Sequence, residues 1–108
     1  MHEFDTVEKI YNSLLSMGKL PDRVYIKLSK LNGNVDFVRF AIESMIRGTV
    51  LEKVKLEFIE IKPKIKCRSC GYEGEVDIPA HAHFIRCPLC NDVVDVIEGK
   101  EIEILVKE

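Results

Sequence analysis

Four cysteines crowded into 24 residues constrain this 108-residue chain more than any other feature. Cys67, Cys70, Cys87 and Cys90 read C-x2-C, sixteen residues, then C-x2-C. The amino-terminal Met-His-Glu lacks the shape of a secretory signal, so the chain is expected in the reducing cytoplasm. There, cysteine pairs at this spacing are metal ligands more often than disulfides. Two-residue spacers let both sulfurs of a pair turn toward one ion, and Gly71 and Pro88 give each turn a residue suited to tight backbone. The pattern predicts a four-thiolate zinc site, closed to water and substrate and therefore structural. Such a site also gives residues 65–91 a reason to fold. They carry few large apolar side chains, and zinc supplies on the order of 10 kcal/mol in small modules.

Other uses of the cysteines fit less well. A thioredoxin-like redox pair opens a helix, and neither pair here precedes a helical pattern. Iron is the nearer rival, because Cys67–Tyr72 and Cys87–Cys90 resemble rubredoxin's metal-binding turns. The sixteen-residue gap is shorter than rubredoxin's, however, and most of this chain has no place in so small a fold. Four thiolates on one Zn²⁺ carry a formal −2, which the flanking Lys66, Arg68 and Arg86 are placed to offset. A nucleic-acid-binding ribbon would carry more basic and aromatic residues than Arg68, Arg86, Tyr72 and Phe84.

The remainder reads as an α/β body. Val7, Ile10, Tyr11, Leu14 and Leu15 follow the spacing of a helix with one buried face, with Asp5 and Glu8 as a cap and Gly18 to end it. Arg23–Leu31 alternates as a half-buried strand, with Val24, Ile26 and Leu28 on one side. After the Asn32-Gly33-Asn34 turn, Asp36–Arg47 is helical, with Val38, Ala41, Ile42, Met45 and Ile46 as its stripe and Gly48 as terminator. Val54–Ile61 is a second strand whose apolar phase shifts at Phe58-Ile59, which predicts a bulge or burial on both faces. Val93–Ile97 and Ile102–Val106 read as strands flanking a Glu98-Gly99-Lys100 turn. The expected fold is α+β, two helices on a small, mainly antiparallel or mixed sheet with an inserted zinc ribbon. The expected division is residues 1–64 plus 93–108 for the body and 65–92 for the ribbon.

Charge and composition narrow the function. Sixteen Lys and Arg against eighteen Asp and Glu leave a net charge of −2, which argues against nucleic-acid binding through bulk positive charge. No run approaches the ~18–20 apolar residues of a membrane span. No acid–base pair, Ser–His constellation or phosphate-cradling glycine loop appears, so an enzyme is not expected. A zinc-ribbon accessory factor of a nucleic-acid machine is the alternative, with the ribbon as its working end.

The amino terminus offers a second metal chemistry. The Met1 amine, the His2 amide nitrogen and the His2 imidazole can close adjacent chelate rings around one ion, and square-planar Ni(II) or Cu(II) favours such nitrogen donors. Taken with Met1-His2-Glu3, the helix Phe37–Arg47 before Gly48-Thr49, and the two CxxC pairs, the chain resembles the HypA/HybF family, nickel metallochaperones of hydrogenase maturation. The resemblance spans essentially the whole chain and includes the order helix, strand, helix, strand, zinc module, final strand after Gly99-Lys100. It implies nickel binding by the amino-terminal amine, His2 and backbone nitrogens including that of Glu3, and zinc on Cys67, Cys70, Cys87 and Cys90. It also implies transfer of Ni(II) to the [NiFe]-hydrogenase large subunit alongside a GTPase partner. His81 and His83 are not explained by the four-cysteine site. They are either surface histidines or candidate additional nickel ligands.

Overall fold

The computed structural model describes residues 2–78 and 85–107, the side chain of His2 excepted. Helix α1 (His2–Leu15) is followed by strand β1 (Arg23–Leu28), helix α2 (Val35–Ile46) and strand β2 (Lys55–Glu60). Short strands β3 (Lys64–Lys66), β4 (Glu73–Glu75) and β5 (Asp95–Glu98) come next, and β6 (Glu103–Lys107) ends the described chain. Two separate three-stranded sheets result, ordered β2-β1-β6 and β4-β3-β5.

The first sheet carries the main core. β1 is central, parallel to β2 and antiparallel to β6, so the sheet is mixed. Its alternation dictates the layering: Val24, Ile26 and Leu28 are fully buried, whereas Arg23, Tyr25 and Lys27 on the other face are not. Against the buried row pack Val7, Ile10 and Leu14 of α1 and Val38, Ile42 and Ile46 of α2. Each of these sets recurs at three- or four-residue spacing and so lines one helical face. The two-helix, mixed-sheet α+β architecture expected from the periodicity is the one observed.

Several local expectations differ from the structure. Asp5 does not cap α1, which begins three residues earlier at His2. Tertiary contacts hold the extra turn: Phe4 meets Phe37 edge-to-face at 5.8 Å, and the Thr6 hydroxyl donates to the Asn32 carbonyl. Glu3 and Asp5 then lie in the first turn, where negative charge suits the helix dipole. α1 ends at Leu15, before Gly18. β1 stops at Leu28 because Ser29 and Asn32 close a capping box over a 3-10 turn at Lys30–Asn32. The Asn34 side chain caps α2 by accepting from the Phe37 amide at 2.9 Å. β2 has no bulge at Phe58-Ile59, since its register with β1 runs unbroken from Lys55 to Glu60. Leu56 and Phe58 share the core-facing side, and Ile59 simply occupies the exposed one.

The strand expected at Val93–Ile97 also lies elsewhere. It is observed as β5, which pairs with β3 in the second sheet, so Gly99 rather than Val93 is where the chain returns to the first sheet. Turn chemistry around Gly99 allowed either pairing, and contact decided it. Gly99 has φ +88°, and a Cβ there would come 2.9 Å from the Pro63 Cα, so only glycine lets the returning chain lie on Pro63.

Candidate metal centre

The second sheet is a frame for two turns of matching construction. In the first, the Cys67 amide donates to the Tyr72 carbonyl at 2.8 Å and the Gly71 amide to the Cys67 carbonyl at 3.0 Å. In the second, the Cys87 amide donates to the Asp92 carbonyl at 2.8 Å and the Asn91 amide to the Cys87 carbonyl at 2.9 Å. Each turn needs a left-handed residue just after its second cysteine. Gly71 supplies it with φ +81°, and Asn91 with φ +63°. Asparagine is among the few other residues that adopt this conformation readily. Both CxxC pairs thus sit in tight turns, and neither opens a helix, as a thioredoxin-like redox pair would.

Folding the turns against each other brings the four sulfurs together. All lie within 4.8 Å of one another, with Cys67 Sγ to Cys90 Sγ and Cys70 Sγ to Cys87 Sγ at 3.5 Å each. A tetrahedral ion with zinc–sulfur bonds of about 2.3 Å needs sulfurs about 3.8 Å apart, so this donor set fits one. A disulfide needs about 2.05 Å, and all four cysteines are free thiols. Cys67 and Cys87, the first of each pair, are buried, whereas Cys70 and Cys90 are exposed.

Crowding four ionisable sulfurs pulls their proton affinities apart. Burial raises the Cys87 thiol, but the Cys90 and Leu89 amides and the neighbouring thiols outweigh it and bring its pKa to about 7. At Cys90 the Asp92 amide favours the thiolate. The Cys67 sulfur, burial and the other two thiols oppose it and push the pKa to about 12. Four thiolates cannot share this space without a cation among them, which is the electrostatic reason the cluster is a metal site.

Charged neighbours do not all behave as the sequence implied. Arg68 is not directed at the sulfurs; its Nε donates to Asp95 Oδ2 at 2.6 Å on β5. Arg86 donates to the Asn91 carbonyl at 3.2 Å, supporting the second turn. Lys66 stands in register with Glu73 and Asp95 on the adjacent strands. The ligands therefore owe more to backbone amides than to basic side chains, as where the Leu89 amide donates to Cys87 Sγ at 3.4 Å.

Sequence reasoning missed Ser69, Asn91 and Asp92. The Ser69 hydroxyl, inside the first pair, donates to Asp92 Oδ2 just after the second, while Asp92 Oδ1 accepts from the Val93 amide at 2.8 Å. These bonds tie the two turns together and hold the Asp92 carboxyl below its ordinary range, the Ser69 hydroxyl contributing most. The available signal was positional: Asn91 follows Cys90 as Gly71 follows Cys70.

Of the other expected site residues, His2 and Glu3 lie in the first turn of α1. Glu3 rests on Gly33, where a Cβ would come 2.7 Å from its Cγ and 3.1 Å from its Cα. Among the described residues the metal-ligating cluster contains the four cysteines alone. Met1, His81 and His83 lie outside the described residues, as does the side chain of His2. No helix of the described residues is long and apolar enough to cross a membrane.

Comparison with known proteins places this architecture. The hydrogenase maturation factor HypA of Methanocaldococcus jannaschii is 32% identical over 116 residues, covering 96% of this chain and 93% of that protein. The factor of the same name from Crocosphaera subtropica is 33% identical over 108 residues, covering 96% and 91%. The solution structure of the Ni metallochaperone HypA from Helicobacter pylori superposes with a TM-score of 0.62 at 18% identity, covering 97% of this chain and 94% of that one, and so shares the fold. A family model described as hydrogenase/urease nickel incorporation, metallochaperone, hypA matches residues 1–108. With a two-helix mixed-sheet body, a four-cysteine metal site and that end-to-end match, the chain belongs to the HypA family of nickel metallochaperones.

Proposed function

We propose that this chain binds Ni(II) at its amino terminus, carries it, and delivers it during [NiFe]-hydrogenase maturation, acting as a carrier and not as an enzyme. The donors are the Met1 amine, the His2 amide nitrogen and imidazole, and the Glu3 amide nitrogen. The ion on Cys67, Cys70, Cys87 and Cys90 is zinc, whose chemistry there is structural: a closed thiolate shell that holds the two turns together. The delivery partners are the hydrogenase large subunit and a GTPase that works with the carrier. Two units share the work, a body of residues 1–64 plus the carboxy-terminal strand, and a ribbon around 65–92 to which β5 adds a strand.

One observation carries this reading beyond family membership. Helix α1 starts at His2, so the His2 and Glu3 amides fall among the first-turn N–H groups that have no intrahelical acceptor. A nitrogen at that place can lose its proton to a metal without breaking a bond of the helical ladder. Square-planar Ni(II) favours this deprotonated-amide donor set. His81 and His83 remain candidates for a further ligand, tested by nickel affinity in His81→Ala and His83→Ala.

Calorimetry with Ni(II) on zinc-loaded protein whose N-terminus is unextended tests the assignment. The expected result is one nickel per chain in addition to zinc, with binding lost in His2→Ala and in protein extended by an N-terminal tag. Unchanged binding in the tagged protein would remove the amine from the ligand set and overturn the reading.

A further inference from the structure

Thr6, Ser29 and Asn32 are the buried polar residues of the core among those described, and they meet at one turn. None of their side-chain oxygens or nitrogens lacks a partner. Asn32 Oδ1 accepts from the Ser29 amide at 2.8 Å, and Ser29 Oγ accepts from the Leu31 amide at 3.2 Å, closing the turn on itself. From there the bonds run in two directions.

One direction leads to the amino terminus. The Asn32 carbonyl accepts from the Thr6 hydroxyl, and Gly33, with φ +123°, leaves the space in which Glu3 sits. The other leads to the segment by which the chain returns to the first sheet. Ser29 Oγ donates to the Gly99 carbonyl at 2.6 Å, and Asn32 Nδ2 donates to the Lys100 carbonyl at 3.0 Å. The Ile61 amide donates to the Leu28 carbonyl at 2.9 Å, and Gly99 lies against Pro63. The start of α1 and the crossing at Gly99-Lys100 are therefore fastened to residues 29–33, and the other crossing is held beside them by Leu28 and Gly99. Apolar packing could fill this volume, but hydrogen bonds also fix direction, and a chelate built on backbone nitrogens needs its backbone held in one geometry.

We infer that Asn32 is a positioning residue: through the 29–33 turn it sets the Glu3 amide in a fixed relation to the Gly99-Lys100 crossing and, where Gly99 lies against Pro63, to the other crossing that carries the ribbon. The inference rests on the nickel reading above and adds to it a physical link between the amino-terminal donors and the zinc-bearing part of the chain.

Two conservative variants separate the two directions. Thr6→Val keeps the side-chain shape and removes the hydroxyl that reaches the Asn32 carbonyl. Asn32→Asp keeps the Oδ1 acceptor and the main-chain carbonyl but removes the amide that donates to Lys100. The measurements are nickel affinity by calorimetry and amide hydrogen exchange of Val7–Ile10, both on zinc-loaded full-length protein with an unextended N-terminus. Each variant is expected to bind nickel about tenfold more weakly, as loss of a ligand-orienting partner does at other metal sites. Each should also exchange faster at those amides while retaining one zinc per chain. Lys9→Ala, which removes only the exposed pair with Glu101 at 4.0 Å, should change neither. Wild-type affinity and exchange in Asn32→Asp would overturn the inference. Should that variant not fold, Ser29→Ala, which cuts the tie to Gly99, decides the same point. Persistence of nickel binding in His2→Ala would instead overturn the nickel reading, and the exchange measurement would still judge the link.

Discussion

Removing the metal should unfold the second sheet and leave the first intact. Among the described residues, the buried aliphatic side chains associated with the second sheet are Ile65 and Ile78, alongside the Cys67 and Cys87 ligands. At about 1.5–3 kcal/mol for each fully buried aliphatic, the pair supplies about 3–6 kcal/mol. A structural zinc ion supplies about 10–16 kcal/mol in comparable small modules, so the ion is the larger contribution. Among the described residues the first sheet has eleven buried residues in its core cluster, and the four cysteines are not among them. Amide exchange followed by NMR, with and without a strong chelator under reducing conditions at neutral pH, reads both sheets at once. Protection at the β3 amides and at Cys67 and Cys87 should disappear on chelation, while Val24, Ile26 and Ile42 keep theirs. Retained protection at Ile65 and Cys67 in verified metal-free, fully reduced protein would show that the turns fold unaided. The structural role assigned to the ion would then be wrong.

Other perturbations isolate single contributions. Ile10→Ala removes a fully buried side chain between α1 and the sheet and should cost about 2–5 kcal/mol in urea unfolding of the body, with bound-metal content unchanged. Loss of the metal together with that destabilisation would show that the two cores are not separable. Asp92 has a depressed pKa, so its ionised form stabilises the turns above the ordinary carboxylate value near 4, and the contribution fades as pH falls through the folded value. Between pH 4 and 6 the wild type has this support and Asp92→Asn does not. The pH midpoint of metal release should therefore move upward in the variant, and an unchanged midpoint would deny the Ser69–Asp92 tie any role in holding the ion.

Local interactions were legible in the residues, and long-range ones were not. The four ligands followed from spacing, because a CxxC turn brings its own two sulfurs together whatever surrounds it. Both helices and the buried row of β1 followed from periodicity, since burial of one face imposes period 3.6 or 2 on any sequence. The start of α1 could not be seen, because its first turn rests on Phe37 and Gly33, far along the chain. The bulge expected at Phe58-Ile59 arose from an apolar residue on an exposed face, and its exposure depends on what the sheet lacks on that side.

By itself, then, the sequence determined that this protein has a helix-covered sheet and a four-thiolate metal site, and it put forward the amino terminus as a proposed chelate. Each of these is encoded in residues close together or in regular repeat. Tertiary structure alone decided that Val93–Ile97 joins the ribbon, that Ser69 reaches Asp92, and that Thr6, Ser29 and Asn32 meet beneath Glu3. The physical reason is range: the bonds Ser69–Asp92, Thr6–Asn32 and Ser29–Gly99 span 23 to 70 positions in the chain, and hydrogen bonds and close contacts across such separations exist only once the backbone has closed.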